Sequence, residues 1–349
     1  MDAENIAARL PEALSPWYDA HKRDLPWRRD REPYHIWISE IMLQQTRVEA
    51  VKGYYTRFLA VLPAVEDLAN CPDTVLEKLW EGLGYYSRMR NLKKAAQMIM
   101  AQGGAFPREY EDVRSLPGIG PYTAGAICSI AYDLPVPAVD GNVLRVLARL
   151  LNDASPADTP AFRRYAENLL REIYPSRAGD FTQSLIELGA TVCGPNREPD
   201  CENCPCRGFC RGREAGTAAK LPVRTPKKDR RQEDMTVFIL QCDDCIGLRK
   251  RPSKGLLAGM WEFPNTMGRL SPKEAVEYLT AHGFQPWELK LSVEKKHIFT
   301  HVEWHMIGIY GEVKKQDDRL VWMTKEQIQA EAGIPTAFRQ FWEGLETKF

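Results

Sequence analysis

The spacing of apolar residues changes character once along this chain, and that change constrains what it can fold into. From Pro11 to about Cys210, apolar side chains recur at three- and four-residue intervals, as in Ile41, Val48, Val51, Tyr55 and Phe58. That is the period of helices buried along one face. Dense Pro and Gly punctuation, such as Gly82, Gly84, Pro117, Gly118, Gly120 and Pro135, reads as many short helices joined by tight turns. This half has no long two-residue alternation and no internal repeat. Beyond Met235 the runs TVFILQ, GMWEF and HIFTHVEWHMIGIYGEV read as β-strands. Helix-like PKEAVEYLTAHG and TKEQIQAEA stand among and after them. Between the halves, residues 211–233 are polar and basic and read as an extended linker. The expected organisation is an all-α domain over 1–210, a linker over 211–233 and an α+β domain over 234–349. Two cores suit a chain of 349 residues.

No stretch approaches the roughly 20 apolar residues of a membrane helix. The segment MDAENIAARL lacks a basic region followed by an apolar run. A cytoplasmic protein with no membrane partner is therefore expected. In that compartment nine cysteines do not suggest a disulfide framework. Cys201, Cys204, Cys206 and Cys210 fall within ten residues of one another, a clustering typical of metal-holding thiolates. The 47 Lys+Arg balance the 47 Asp+Glu, which excludes a uniformly basic surface and an acidic tail. Local contact with phosphate stays open, and PKKDRR (226–231) is one local basic run.

Residues 116–132, LPGIGPYTAGAICSIAY, read as a helix end, a glycine turn and a second helix beginning at Pro121. Gly118 and Gly120 allow close backbone approach, and the turn with its helix N-terminus forms an anion site that fits a DNA phosphate. An ordinary helix–turn–helix corner is the competing reading. In VPAVDGNVLRVLARL (136–150), Asp140 is either a helix N-cap or a carboxylate at the mouth of a cleft.

LPGIGPYTAG followed by VDGNV resembles the helix-hairpin-helix DNA glycosylases, and the resemblance covers about residues 10–210. It implies a two-lobed all-α enzyme with DNA across it and a flipped base in the cleft. Cys193-x7-Cys201-x2-Cys204-x5-Cys210 is similar to that family's iron–sulfur loop, which implies a [4Fe-4S] cluster on these four cysteines. From the donor set alone, tetrahedral zinc competes. The first gap is seven residues where the family usually has six, and its loop GPNREPD is not basic. Cys206 is extra. Where strand-cutting members carry a Schiff-base lysine, this chain has Tyr122, so hydrolysis without lyase chemistry is expected.

LPWR (25–28), PYHIWISEIMLQQTRVE (33–49) and WEGLGYYSRMRNL (80–92) closely resemble adenine DNA glycosylases of the MutY type. In that resemblance Glu40 is the catalytic acid. From sequence alone, an exposed helix-surface glutamate is the simpler reading. The apolar neighbours Trp37, Ile41 and Met42 would raise its pKa. Asp140 would stabilise an oxocarbenium ion or form a transient adduct. Tyr122 would stand beside Asp140 and the sugar, Asn142 would support the Asp140 carboxylate and the water, and Arg28 and Gln183 would line the adenine pocket. Gln45, Thr46, Leu83 and Tyr85 would enter the duplex, with a core role competing for Leu83.

RKRPSKGLLAGMWEFP (249–264) resembles the Nudix-like domain appended to these glycosylases. The glutamate-rich helix of true nucleotide hydrolases is absent, so binding without hydrolysis is expected. KHIFTHVEW (296–304) is similar to the loop that senses 8-oxoguanine, with Phe299, Thr300 and His301 at the key places. The resemblance implies a monomer acting on double-stranded DNA with A·8-oxoG or A·G mispairs. A thymine-glycol-type glycosylase with lyase activity and a non-catalytic iron–sulfur DNA-binding protein are the alternatives. His297, His301 and His305, read as one strand, would share a face but stand too far apart for one metal.

Overall fold

The computed structural model of the chain describes residues 2–195, 197–226, 229–252 and 254–342. Lys227 and Lys228 of the basic run PKKDRR, and Asn196 of the GPNREPD loop, lie outside the described residues. Helices α1 (Ala3–Ala7), α2 (Leu10–His21), α3 (Pro33–Leu43), α4 (Val48–Val61) and α5 (Val65–Asn70) come first. Then follow α6 (Asp73–Trp80), α7 (Ser87–Ala101), α8 (Tyr110–Ser115), α9 (Pro121–Tyr132), α10 (Gly141–Leu151), α11 (Pro160–Arg171), α12 (Ala178–Thr191) and α13 (Arg211–Glu214). The remainder is β1 (Arg231–Cys242), β2 (Cys245–Lys250), β3 (Trp261–Glu262), β4 (Asn265–Met267), α14 (Pro272–Ala281), β5 (Pro286–Ile298), β6 (Val302–Val313), β7 (Val321–Thr324), α15 (Lys325–Glu331) and α16 (Thr336–Trp342). Two compact units result: Met1–Asn70 with Arg90–Pro226, and Cys71–Met89 with Lys227–Phe349.

The first unit is helical because its apolar positions follow the helical period. Leu10 and Leu14 of α2, Val143 and Leu147 of α10, Phe162 of α11, and Phe181 and Leu185 of α12 meet in one core. α9 is buried from Thr123 through Ile130, on every side, as befits a helix apolar all round. The segment expected to be an extended linker is largely part of this unit. The Arg149 guanidinium donates to the Leu221 carbonyl at 2.9 Å, and the Ala157 N–H donates to the Val223 carbonyl at 3.0 Å. Gly212, Ala218 and Leu221 are buried, so residues 211–226 fold back where an extended polar connection was expected.

The second unit is built on a mixed sheet in the order β3-β2-β1-β6-β5, with β4 on β1 and β7 on β2. β1 and β6 are parallel, from Arg231 opposite Val302 to Gln241 opposite Glu312. The continuous apolar run of β1 follows from burial on both faces. Val237 and Ile239 pack with Phe338 and Phe341 of α16, while Phe238 and Leu240 pack with Ala275 and Leu279 of α14. One expectation is overturned. HIFTHVEWHMIGIYGEV is not one strand, because the chain turns at 299–301 and the Phe299 N–H donates to the Val302 carbonyl at 2.8 Å. His297 therefore stands opposite Trp304, and His305 opposite Lys296 on the neighbouring strand. The three histidines do not share a strand face, and no metal site arises from that pattern. Among the described residues, no helix is long and apolar enough to cross a membrane.

Candidate active site

Eight residues singled out from the sequence line one cavity of about 350 Å³ in the first unit: Arg28, Glu40, Gln45, Thr46, Tyr122, Asp140, Asn142 and Gln183. They come from several separate elements. Glu40 sits in the last turn of α3, whose residues Ile36 to Met42 are all buried. Tyr122 follows Pro121 at the start of α9, where the missing proline N–H has no helical partner anyway. Asp140 is the N-cap of α10, and Gln183 faces the cavity from α12.

Asp140 combines both roles that the sequence left open. Its carboxylate accepts from the Asn142 and Val143 backbone N–H groups, both at 2.8 Å, and from the Asn142 side-chain amide at 2.6 Å. It caps the helix and still faces the cavity. Burial raises its pKa, and these donors oppose the rise. Glu40 is 8% exposed, and burial lifts its carboxyl from 4.5 to about 7. The Tyr122 hydroxyl hydrogen-bonds Glu40 and pulls the other way, and the Asp140 charge pushes it up further. Of the two carboxyls, Asp140 has the donors that suit an anion, and Glu40, lifted to about 7, is the one that holds a proton. Tyr122 itself is raised well above its ordinary value by burial and the two carboxyls, so its phenol stays a neutral donor.

Sequence reading missed the residues that hold this set in place. Glu187 of α12 has a side chain with no exposure, and it binds Arg23 at 2.6 Å and Arg28 at 2.8 Å. Burial works to raise the Glu187 carboxyl, but the two guanidiniums outweigh it and the net change is downward. Arg28 is thereby aimed at the cavity. Arg145, buried on α10, donates to the Asn142 side-chain carbonyl at 2.8 Å, the Gly189 carbonyl at 2.7 Å and the Cys193 carbonyl at 2.8 Å. α10 and α12 approach so closely here that a Cβ on Gly189 would lie 2.6 Å from the Asn142 Cβ.

The glycine turn before α9 forms as expected. Gly118 has φ of +80°, and a Cβ there would meet the Asn91 Cβ at 2.7 Å. Glycine is therefore required by both backbone and space. Gly120 has ordinary φ, and a Cβ there would point into open space.

Other sites lie in the second unit. Leu83 is 6% exposed and Tyr85 is 45% exposed, so in this structure Leu83 packs inward while Tyr85 stands at the surface. Phe299 packs edge-on against Trp304 with centroids 4.8 Å apart. Thr300 and His301 are exposed, and the Thr300 hydroxyl is 3.0 Å from the Tyr85 hydroxyl.

Cys193, Cys201, Cys204 and Cys210 line one small cavity together with Arg149, Arg207 and Arg213. Cys206 is 2% exposed and points into the helical core. Among the described residues, no group of three or more His, Cys, Asp or Glu side chains is gathered to hold one metal ion. Four thiols lining one cavity are the donor set of a cluster that offers each of them its own iron. The three arginines would offset the negative charge of such a site. The donor set fits a four-iron cluster.

The chain matches the family described as HhH-GPD superfamily base excision DNA repair protein over residues 38–172, and the NUDIX domain over residues 235–344. It is 35% identical to the adenine DNA glycosylase of Arabidopsis thaliana over 97% of this chain and 60% of that protein, so it spans three-fifths of that relative's length. It is 35% identical to the adenine DNA glycosylase of Mus musculus over 86% of this chain and 70% of that protein. Among solved structures it is similar to a thermostable thymine-DNA glycosylase, with a TM-score of 0.56 and 29% identity over 61% of this chain and 100% of that one.

Proposed function

We propose, from the premise that this chain belongs to the adenine DNA glycosylase family of base excision DNA repair, that it hydrolyses adenine from A·8-oxoG and A·G mispairs using Glu40 and Asp140. Members of that family are DNA N-glycosylases, and this chain is an enzyme of that kind acting on DNA. The observation that carries the mechanistic reading is the split between the two carboxyls. Glu40 keeps its proton to about pH 7 through burial, while Asp140 receives three donors suited to an anion.

The reaction follows the two-carboxyl logic of glycoside hydrolysis. The target adenine leaves the stack for the cavity, since its glycosidic bond is inaccessible in the duplex. Arg28, aimed by Glu187, and Gln183 orient the base. Glu40 donates its proton to N7, so the electron pair of the breaking N9–C1′ bond departs on a neutral base. The sugar becomes an oxocarbenium ion. The Asp140 carboxylate stabilises that cation or bonds to C1′ in a transient adduct. A water attacks C1′, breaking the C1′–O bond to Asp140 and freeing its carboxylate where the adduct formed, and gives its proton to the Glu40 carboxylate, which restores the acid. Tyr122 offers no amine for a Schiff base, which disfavours strand cutting.

DNA phosphates are held at the Gly118–Gly120 turn and the α9 N-terminus. Gln45 and Thr46 contact the duplex near the lesion. Tyr85, exposed at its turn, enters the duplex beside them as a wedge. Phe299, Thr300 and His301 read the partner base. The second unit binds without hydrolysing: Glu274 of α14 accepts from the Ser271 N–H at 2.7 Å in a capping box and so is engaged in holding its own helix. Cys193, Cys201, Cys204 and Cys210 would hold a [4Fe-4S] cluster, whose contribution here is to brace this end of the helical unit and which offers one-electron chemistry when bound. The proposed acting form is a monomer on double-stranded DNA.

Single-turnover base release on A·8-oxoG, A·G and A·T duplexes tests the reading. Fast release from the first, slower release from the second and none from the third is expected, with no borohydride-trapped adduct. Release from A·T at the same rate, or efficient amine trapping, would overturn it. Iron and zinc content of anaerobically purified protein tests the cluster: four irons per chain is expected, and one zinc contradicts it.

A further inference from the structure

Residues 71–89 pack with the C-terminal unit, and the contacts responsible are specific. Glu81, just after α6, has both carboxylate oxygens engaged. One accepts from Arg339 of α16, and the other lies 2.8 Å from the Lys78 ammonium. Lys78 also donates to the Gln329 carbonyl near the end of α15, where helix carbonyls lack helical partners. α16 is itself fixed, because Phe338 and Phe341 have no exposure.

The turn that follows is stiff. Gly82, Gly84 and Tyr85 all have positive φ. The Trp80 indole donates to the Gly84 carbonyl at 3.1 Å, and Arg88 donates to the Leu83 carbonyl at 3.1 Å. Such a turn moves as a body, so its placement is decided at its ends. One end is Glu81 with Lys78. The other is the Tyr85 hydroxyl on Thr300.

We propose that the Glu81–Arg339 ion pair is a positioning device that sets the turn bearing Tyr85 in register with the loop bearing Thr300, so that discrimination between partner bases depends on two residues that never touch the base. The proposal rests on the partner-base reading of Phe299–His301 given above. An ordinary surface ion pair contributes little, but this one is a quarter or so exposed, with side-chain exposures of 32% and 17%. It also joins segments 258 residues apart.

The test is a double-mutant cycle of Glu81→Gln and Arg339→Met in the full chain. The readouts are single-turnover rates on A·8-oxoG and A·G, with melting midpoint and iron content as controls. Each single variant is expected to lower the ratio of the two rates by about fivefold, and the double variant by no more than the worse single, as coupled neighbours behave. Arg339→Lys is expected to retain most of the ratio. An unchanged ratio, equal falls on both substrates, or fully additive effects would each overturn the proposal. If one variant fails to fold, the partner substitution alone decides by the same criterion. Thr300→Ala, run in parallel, separates the two readings. If it leaves the ratio unchanged, the reader reading fails and the positioning proposal that rests on it falls with it, whatever Arg339→Met does. If it lowers the ratio while Arg339→Met does not, the device is wrong and the reader stands.

Discussion

A buried carboxyl weighs on the folded state whenever it is ionised, and Glu40 provides a way to measure that cost. Burial raises its pKa from 4.5 to about 7, so the folded protein holds this proton more tightly than the unfolded chain does. The stability associated with it is complete below pH 4.5, declines as pH rises toward 7, and is lower by a constant amount above that. At 1.36 kcal/mol per pH unit the loss reaches about 3 kcal/mol. Glu40→Gln keeps the size of the side chain and an acceptor for the Tyr122 hydroxyl but cannot ionise. The variant is expected to match the wild type near pH 4.5 and to be more stable by up to about 3 kcal/mol at pH 8. Urea unfolding of both proteins from pH 4.5 to 8.5, followed by far-ultraviolet circular dichroism, reads the difference directly. A difference that is flat across this range, or that favours the wild type at high pH, would refute the argument that burial keeps Glu40 protonated.

Because only protonated Glu40 donates, single-turnover adenine release should fall about tenfold per pH unit above pH 7. Tyr122→Phe removes a hydrogen bond that favours the Glu40 carboxylate and should move that alkaline limb to higher pH; a limb that stays or moves lower contradicts the assignment. Asp140→Asn retains a good N-cap and should change stability by less than about 1 kcal/mol, while release falls at least about 100-fold. Equal losses in Asn and Ala variants, tracking stability, would reduce Asp140 to a cap. Gly118→Ala places a Cβ against Asn91 at a φ of +80°. It should cost about 2 kcal/mol and weaken DNA binding in a mobility-shift titration, and undiminished binding would remove this turn from the phosphate contact.

The helical half was legible because its signals are local. Pro121 and Asp140 sit where helix-start chemistry puts them, and seven of the eight cavity residues, all but Gln183, lie in the segments that carry the family resemblance. What stayed hidden was decided by packing across the chain. Glu187 reads as an ordinary mid-helix glutamate, and only its apolar neighbours Leu185, Ile186 and Leu188 hint that it is buried. Residues 211–226 have a linker's composition, yet Arg149 reaches across to anchor the Leu221 carbonyl. β5 was missed except at its end because it is an edge strand, with Ser292, Glu294 and Lys296 exposed in alternation. The turn at 299–301 carries no Gly or Pro, so one apolar run hid two strands. Leu83 is apolar in a glycine-rich turn, and sequence does not distinguish a wedge from a residue that packs inward.

The central claim is that Glu40 supplies the proton that releases adenine. Single-turnover adenine release from an A·8-oxoG duplex at pH 7, compared between wild type and Glu40→Gln with DNA binding measured alongside, tests it most directly. Release slower by at least about 100-fold with binding retained is the expected result. Release by the variant at the wild-type rate would contradict the mechanism.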